Sequence, residues 1–163
     1  MTFQSGVETS AKIEAGAVAD LVVTTPEAID ALVKDGKLVP GTRVNFVHIS
    51  KGPSGVYLMS IMGRLGIADQ VKAKGVTPEL GQRVGNLVAR GEAEIGVQQI
   101  NELLPIAGID FIGPLPDALL TRIGYATARL TTARQPEAAA ALAKLMSSEA
   151  ALPVMKRMGM EPW

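Results

Sequence analysis

The stretch KGPSGVYL, residues 51–58, sets a glycine, a proline, a serine and a second glycine ahead of an apolar run with helical spacing. The leading N–H groups of a helix have no partner inside it, and the aligned peptide dipoles leave partial positive charge there. A hydroxyl, Ser54, beside those amides and beside Gly55 is chemistry for holding a small anion without a formal cation. The same residues also suit a plain turn, with Gly52 and Pro53 reversing the chain and Ser54 capping its own helix. Rival chemistry is scarce. His48 is the only histidine and cysteine is absent, so no histidine metal cluster, thiolate zinc site or thiol nucleophile can be assembled. The glycines of GKLVPGTRV do not make a phosphate loop, because no Ser or Thr follows the lysine. Glu92 and Glu94 stand at strand spacing and Asp69 beside a helix end, positions that suit solvated acids. An enzyme would have to draw its acid or base from His48 or Glu8, neither with an identifiable partner.

Positioning these groups needs a scaffold, and the chain is clearly punctuated. In ADLVVTTPEAIDALVKDGKLV an apolar strand at Leu21 to Val23 leads to Thr25 as N-cap, Pro26 at the first helical position and Glu27 in the first turn. Ile29, Leu32 and Val33 share one face of that helix, and Gly36 closes it. A second strand near Val47 to Ile49 feeds the glycine-serine turn and a helix with Val56, Met59, Ile61, Met62 and Leu65 inward. Val84, Leu87 and Val88 mark another helix stopped at Gly91, followed by a strand from Glu94 to Gln99. GIDFIGPLP reads as a short strand ending in prolines. The alanine-rich segment Pro136 to Met146 is a helix facing away from any ligand, and Ser148 is placed to cap a last helix from Glu149. Strands separated by helices predict an α/β fold with mainly parallel sheets.

With 163 residues, 47% of them apolar, the chain can bury a core as one domain or two small lobes. Its 16 basic residues balance 16 acidic ones without a run of either sign, so bulk electrostatics draw it neither to nucleic acid nor to an anionic membrane. MTFQSGVETS lacks a basic stretch followed by an apolar one, so no export signal is expected in this sequence, and no apolar run is long enough to span a bilayer. The seven methionines fall at helical spacings that suit core packing.

FQSGVETSAKIEAGAVADLVVTTPEAIDALVKDGKLV resembles the early part of the molybdate-binding-protein-like family of periplasmic solute-binding proteins, chiefly through its Ile-Glu-Ala-Gly-x-x-Ala-Asp string. GPSGVYL, RLGIADQVKAK, LVARGEAEIGVQQ and GMEP resemble later blocks of that family in the same order, so the likeness covers most of the chain. The resemblance implies an α/β fold of the type II periplasmic-binding-protein kind. Its two lobes would be residues 1–46 with 118–163 and residues 47–117, with a small oxyanion clamped between them. Carried over position by position, Ser5 and Gly6 form the serine turn of lobe one, and Ser54 and Gly55 the helix-start turn of lobe two. Gly81 falls where a backbone amide donor comes from the next helix start, and Gln99 where molybdate binders place a tyrosine. The glutamine offers an amide instead of a phenol, which opens the site to a small carboxylate or another oxyanion.

What the resemblance implies for activity is the solute-binding component of an ABC transporter, periplasmic, with a small anionic ligand and a permease as partners and with no cofactor, metal, nucleic acid or membrane insertion. The alternative is an intracellular effector-sensing module or an enzyme that reuses the fold as an oligomer. Relatives carry a further strand and helix before Phe3, and some dozens of residues between the segments that here meet near Phe46 and Val47. Relative to the family the fold is therefore expected to be incomplete, with an exposed sheet edge through which two copies could pair as a homodimer.

Overall fold

The computed structural model describes the chain apart from Phe3, Gly52, Pro53, Ser54, Thr77, Leu80, Gly81, Thr121 and Trp163, and the backbone alone at 46–51, Val56 and Pro162. The chain divides into two compact units: residues 1–49, 123–156 and 161–163 form the first, and residues 50–122 and 157–160 the second.

The first unit is built from α1 (Gly6–Glu14), β1 (Leu21–Thr24), α2 (Pro26–Lys34), most of β2 (Val44–Lys51) and β3 (Arg122–Arg129), and α7 (Pro136–Met146). Local chemistry explains α2 as the sequence suggests. The Thr25 hydroxyl accepts from the Ala28 N–H at 3.4 Å, Pro26 occupies the first turn, and Gly36 adopts φ +68° just past the helix. Ile29 and Leu32 are fully buried, and they pack with Ile13, Val22, Leu38, Ala126, Ala128 and Leu130 into one core under the sheet. Side chains far apart in sequence fix the corners. Both oxygens of Asp30 on α2 accept from Arg43 Nη1, at 2.7 and 2.8 Å, just before β2 begins. Asp20, ahead of β1, accepts the backbone N–H groups of Arg134 and Gln135 at 2.6 and 2.7 Å and so closes the start of α7.

The sheet order is β1-β3-β2-β4, where β4 is Met160–Pro162. β1 runs antiparallel to β3, in a register that sets Val22 opposite Ala128 and Thr24 opposite Ala126. The expectation of mainly parallel pairing therefore fails at this edge. β3 returns to the first unit after residues 50–122 of the second, and it enters the sheet beside β1 without a helical crossover of its own.

The second unit carries α3 (Gly55–Arg64), α4 (Ala68–Lys74), α5 (Val84–Ala89) and α6 (Ile100–Leu103); α8 (Leu152–Arg157) lies almost wholly in the first. Ile61 of α3 and Leu87 of α5 are buried as the spacing predicts, whereas Leu65 is 57% exposed because α3 ends before it. Gly91 stops α5 with φ +73°. The segments predicted as strands, 94–99 and the one in GIDFIGPLP, have no regular secondary structure and pair with no strand among the described residues. Residues 94–99 instead press on a helix: a Cβ at Gly96 would stand 2.6 Å from Val84 Cγ1 and 2.9 Å from Val88 Cγ2, both on α5. A helix can cover such a segment but cannot offer it a hydrogen-bonded ladder. Near the C-terminus the expected helix from Glu149 opens as a 3-10 turn, Glu149–Ala151, before α8. Ser148 occupies the cap position, but its hydroxyl donates backward to the Leu145 carbonyl at 2.7 Å.

Candidate functional site

Ser5 and Gly6 open α1, the nine-residue helix of the first unit. Ser5 has extended backbone, φ −66° and ψ 159°, which turns its N–H and its hydroxyl toward the helix start. Both donate to a single carboxylate oxygen, Glu8 Oε2, at 2.9 Å from the backbone and 2.8 Å from Oγ. Glu8 N–H returns a bond to Ser5 Oγ at 3.3 Å, which completes a capping box. The N–H groups of Gly6 and Val7, in the first turn, have no acceptor inside the helix. Glu8 is held below its ordinary value of 4.5, first by the Ser5 backbone N–H and then by the Ser5 hydroxyl, with Lys12 assisting. This turn therefore accommodates an anionic oxygen, and the chain itself supplies one.

Behind the turn lies Thr24, at the end of β1. It is only 3% exposed, and its hydroxyl has no partner among the described residues. A Cβ built on Gly6 would stand 3.2 Å from Thr24 Oγ1, so glycine is what lets the helix start approach this hydroxyl. The Ser-x-x-Glu spacing of Ser5 and Glu8 was available in the sequence as a capping-box signature. Thr24 was not, because its importance comes from the packing of α1 on β1.

In the second unit Gly55 is the exposed first residue of α3, and a Cβ there would meet no described residue within 4 Å. Ser54 and Gly81 lie outside the described residues. Gln99 is at the N-cap position of α6, with φ −62° and ψ 142°, rather than in a strand, and its side chain makes no capping bond to that helix. Its neighbour Gln98, which the sequence did not single out, has a buried Oε1 without a partner among the described residues. Ser5 and Gly6 thus gather with Glu8 and Thr24 in the first unit, while Gly55, Gln98 and Gln99 belong to the second.

The other sequence candidates resolve into structural roles. Glu92 receives Arg90 Nε at 2.5 Å in the turn after α5, and this bond holds Glu92 below and Arg90 above their ordinary values. His48 lies on β2, and its side chain is outside the described residues. No group of three metal-ligating side chains is gathered among the described residues. A separate concavity of about 330 Å³ in the first unit is lined by Leu21, Thr42, Arg129 and Lys144 with the alanines of α7, and it shares no residue with the Ser5 turn. None of the described helices is long and apolar enough to cross a membrane.

The sequence model for bacterial extracellular solute-binding proteins matches residues 48–161. Aconitate isomerase from a Pseudomonas species is 29% identical over 180 aligned residues, which cover 88% of this chain and 68% of that protein. That alignment is longer than the 163-residue chain, so the relative carries internal positions with no counterpart here. Among solved structures, the periplasmic molybdate-binding protein of Azotobacter vinelandii superposes with a TM-score of 0.78 at 16% identity, over 98% of this chain and 85% of its own. The substrate-binding domain assigned to a molybdenum ABC transporter from Clostridium difficile gives 0.69 at 16%, over 99% and 85%. PEB3 bound to L-phospholactate gives 0.59 at 12%, over 96% and 85%. At these identities the structural likeness speaks to the fold, which is α/β and periplasmic-binding-protein-like, and the family match speaks to descent. The chain belongs to the bacterial extracellular solute-binding proteins.

Proposed function

We propose that this solute-binding protein captures a small oxyanion or small carboxylate and presents it, in the periplasm, to the permease of an ABC transporter. The observation that carries the reading is the convergence of the Ser5 N–H and Ser5 hydroxyl on one carboxylate oxygen at the start of α1. Donors already arranged around an anionic oxygen are placed to receive another where the ligand takes over the bonds that Glu8 now holds. In this reading the ligand lies between the lobes 1–46 with 118–163 and 47–117, touched by Ser5 and Gly6 from one and by Ser54, Gly55, Gly81 and Gln99 from the other. Closure about the crossing segments couples capture to delivery, because only the shut form offers both sets of contacts. Molybdate is not the tightest ligand, since an amide at Gln99 stands in place of a phenol. Pairing of two copies along the outer edge of β1, which ends the sheet order, belongs to the same proposal.

The test is a calorimetric titration of the purified chain with molybdate, tungstate, sulfate and small carboxylates, repeated on Ser5→Ala. At least one anion binds, and the variant weakens it about ten- to hundred-fold, the worth of one hydrogen bond to a charged acceptor. Affinity unchanged in Ser5→Ala removes the site from the α1 turn.

A second reading rests on the likeness to aconitate isomerase, a relative whose name is that of an enzyme acting on a small polycarboxylate. Here the fold works as an isomerase or an effector sensor. Incubation with cis- and trans-aconitate, followed by proton NMR, separates the two: interconversion with turnover supports the enzyme, and saturable binding without conversion supports the transport component.

A further inference from the structure

Resting on the reading that the Ser5 turn contacts the ligand, we propose that Glu8 makes this turn selective for an anion that carries a hydroxyl hydrogen over one that is fully ionised and has none. Ser5 has two donors to give, its N–H and its Oγ–H, and both are spent on Glu8 Oε2. A fully ionised dianion such as sulfate can offer only acceptors. It must strip these donors from Glu8 and then lie beside a bare carboxylate, and the like charges repel. The other carboxylate oxygen, Oε1, receives no hydrogen bond among the described residues. A hydroxyl group on the ligand donates to it and turns the repulsive neighbour into an acceptor.

Thr24 supplies the complementary half from an independent direction. Its buried hydroxyl lies against Gly6 at the same helix start, with a hydrogen and no acceptor among the described residues. An oxygen of the ligand that reaches the Gly6 backbone satisfies it, as such a hydroxyl otherwise stays unpaired at some expense. One unspent acceptor, Glu8 Oε1, and one unspent donor, Thr24 Oγ1, thus flank the turn. They match a group that has both kinds of atom, as in a hydroxy acid or the monoprotonated form of a phosphate. Glu8 stays ionised across the working range, because Ser5 holds it below its ordinary value.

The experiment uses two pairs of probes that differ by this one feature: malate against succinate, and inorganic phosphate against sulfate, at a mildly alkaline pH where phosphate is chiefly the hydrogenphosphate dianion and matches sulfate in charge. Titration calorimetry on the wild-type chain is expected to favour the hydroxyl-bearing member of at least one pair by tenfold or more, and the pair that responds identifies the ligand class. Glu8→Gln is the informative variant. Glutamine also closes a capping box, so α1 keeps its start, but it brings an amide N–H₂ where the carboxylate had only acceptors. It is expected to abolish or invert the preference, with the fully ionised member gaining about tenfold. Ser5→Ala separates the two layers of argument. An unchanged preference in Glu8→Gln while Ser5→Ala weakens every probe overturns the role of Glu8 and leaves the site standing. Indifference to both variants, or no binding of any probe by the wild type, overturns the site and the selectivity together.

Discussion

Glu8 also leaves a signature that needs no ligand. In the folded chain it titrates below 4.5, and in the unfolded chain near it, because only the folded turn brings the Ser5 N–H and hydroxyl to its carboxylate. Its stabilising contribution is complete above 4.5 and is lost as the pH falls through the lower folded value. Melting temperatures of wild type and Glu8→Gln, followed from neutral pH downward, are expected to converge on the acid side, with the shallower acid limb in the variant. Parallel curves would show that the box carries no pH-linked stability. Ser5 itself was legible only through resemblance to a family, since a serine before a glycine is ordinary. The capping box was legible from spacing alone, four residues reading Ser-Gly-Val-Glu. Thr24 lay beyond any local reading, because its buried, unpaired hydroxyl is a property of how α1 lands on β1.

At the level of elements, the family string ending in Asp20 acquires a structural meaning. Asp20 Oδ1 takes the N–H groups of Arg134 and Gln135, so a residue before β1 caps a helix more than a hundred positions later. Gln135, the local N-cap of α7, makes no side-chain capping bond of its own. Asp20→Ala is expected to lower stability by about 1–2 kcal/mol, with most of it restored in Asp20→Asn, which keeps one acceptor oxygen. Equal melting temperatures for Ala and wild type would mean that Pro136 alone sets the start of α7. The contrast with α2 explains what the sequence could and could not reveal. Thr25, Pro26, Glu27 and Gly36 lie within one helix length and specify α2 locally. The start of α7 depends on a partner from elsewhere in the chain. The same holds for the segment 94–99, whose alternation suits a strand but which lies on α5 with Gly96 between Val84 and Val88. Gly96→Ala tests that packing: the added methyl group collides with both valines and is expected to destabilise the second unit by about 1–3 kcal/mol, measured by chemical denaturation. A neutral result would mean that the segment can lift from α5 freely.

For the whole molecule, the proposed clamp makes a thermodynamic demand on the two units. Each has its own buried centre, Ile29 and Leu32 in the first and Ile61 and Leu87 in the second, so each can melt in a transition of its own. Core truncations identify the transitions: Leu32→Ala should lower one and Ile61→Ala the other, each by about 2–5 kcal/mol. An anion bound to one unit stabilises that unit alone. An anion held by donors from both is released when either unfolds, so opening either unit from the bound native state costs more, by about 2.7 kcal/mol at a hundredfold excess over the dissociation constant. Native-state hydrogen exchange with the tightest of the probe anions is therefore expected to slow exchange in the buried centres of both units, and to slow it less in Ser5→Ala, where about 0.4–1.4 kcal/mol of the gain remains. Slowing confined to the unit that Leu32→Ala destabilises would leave the anion on the first unit, held by the α1 turn without help from Gly55 or Gln99, and the two-lobed clamp would have to be abandoned for a one-sided site.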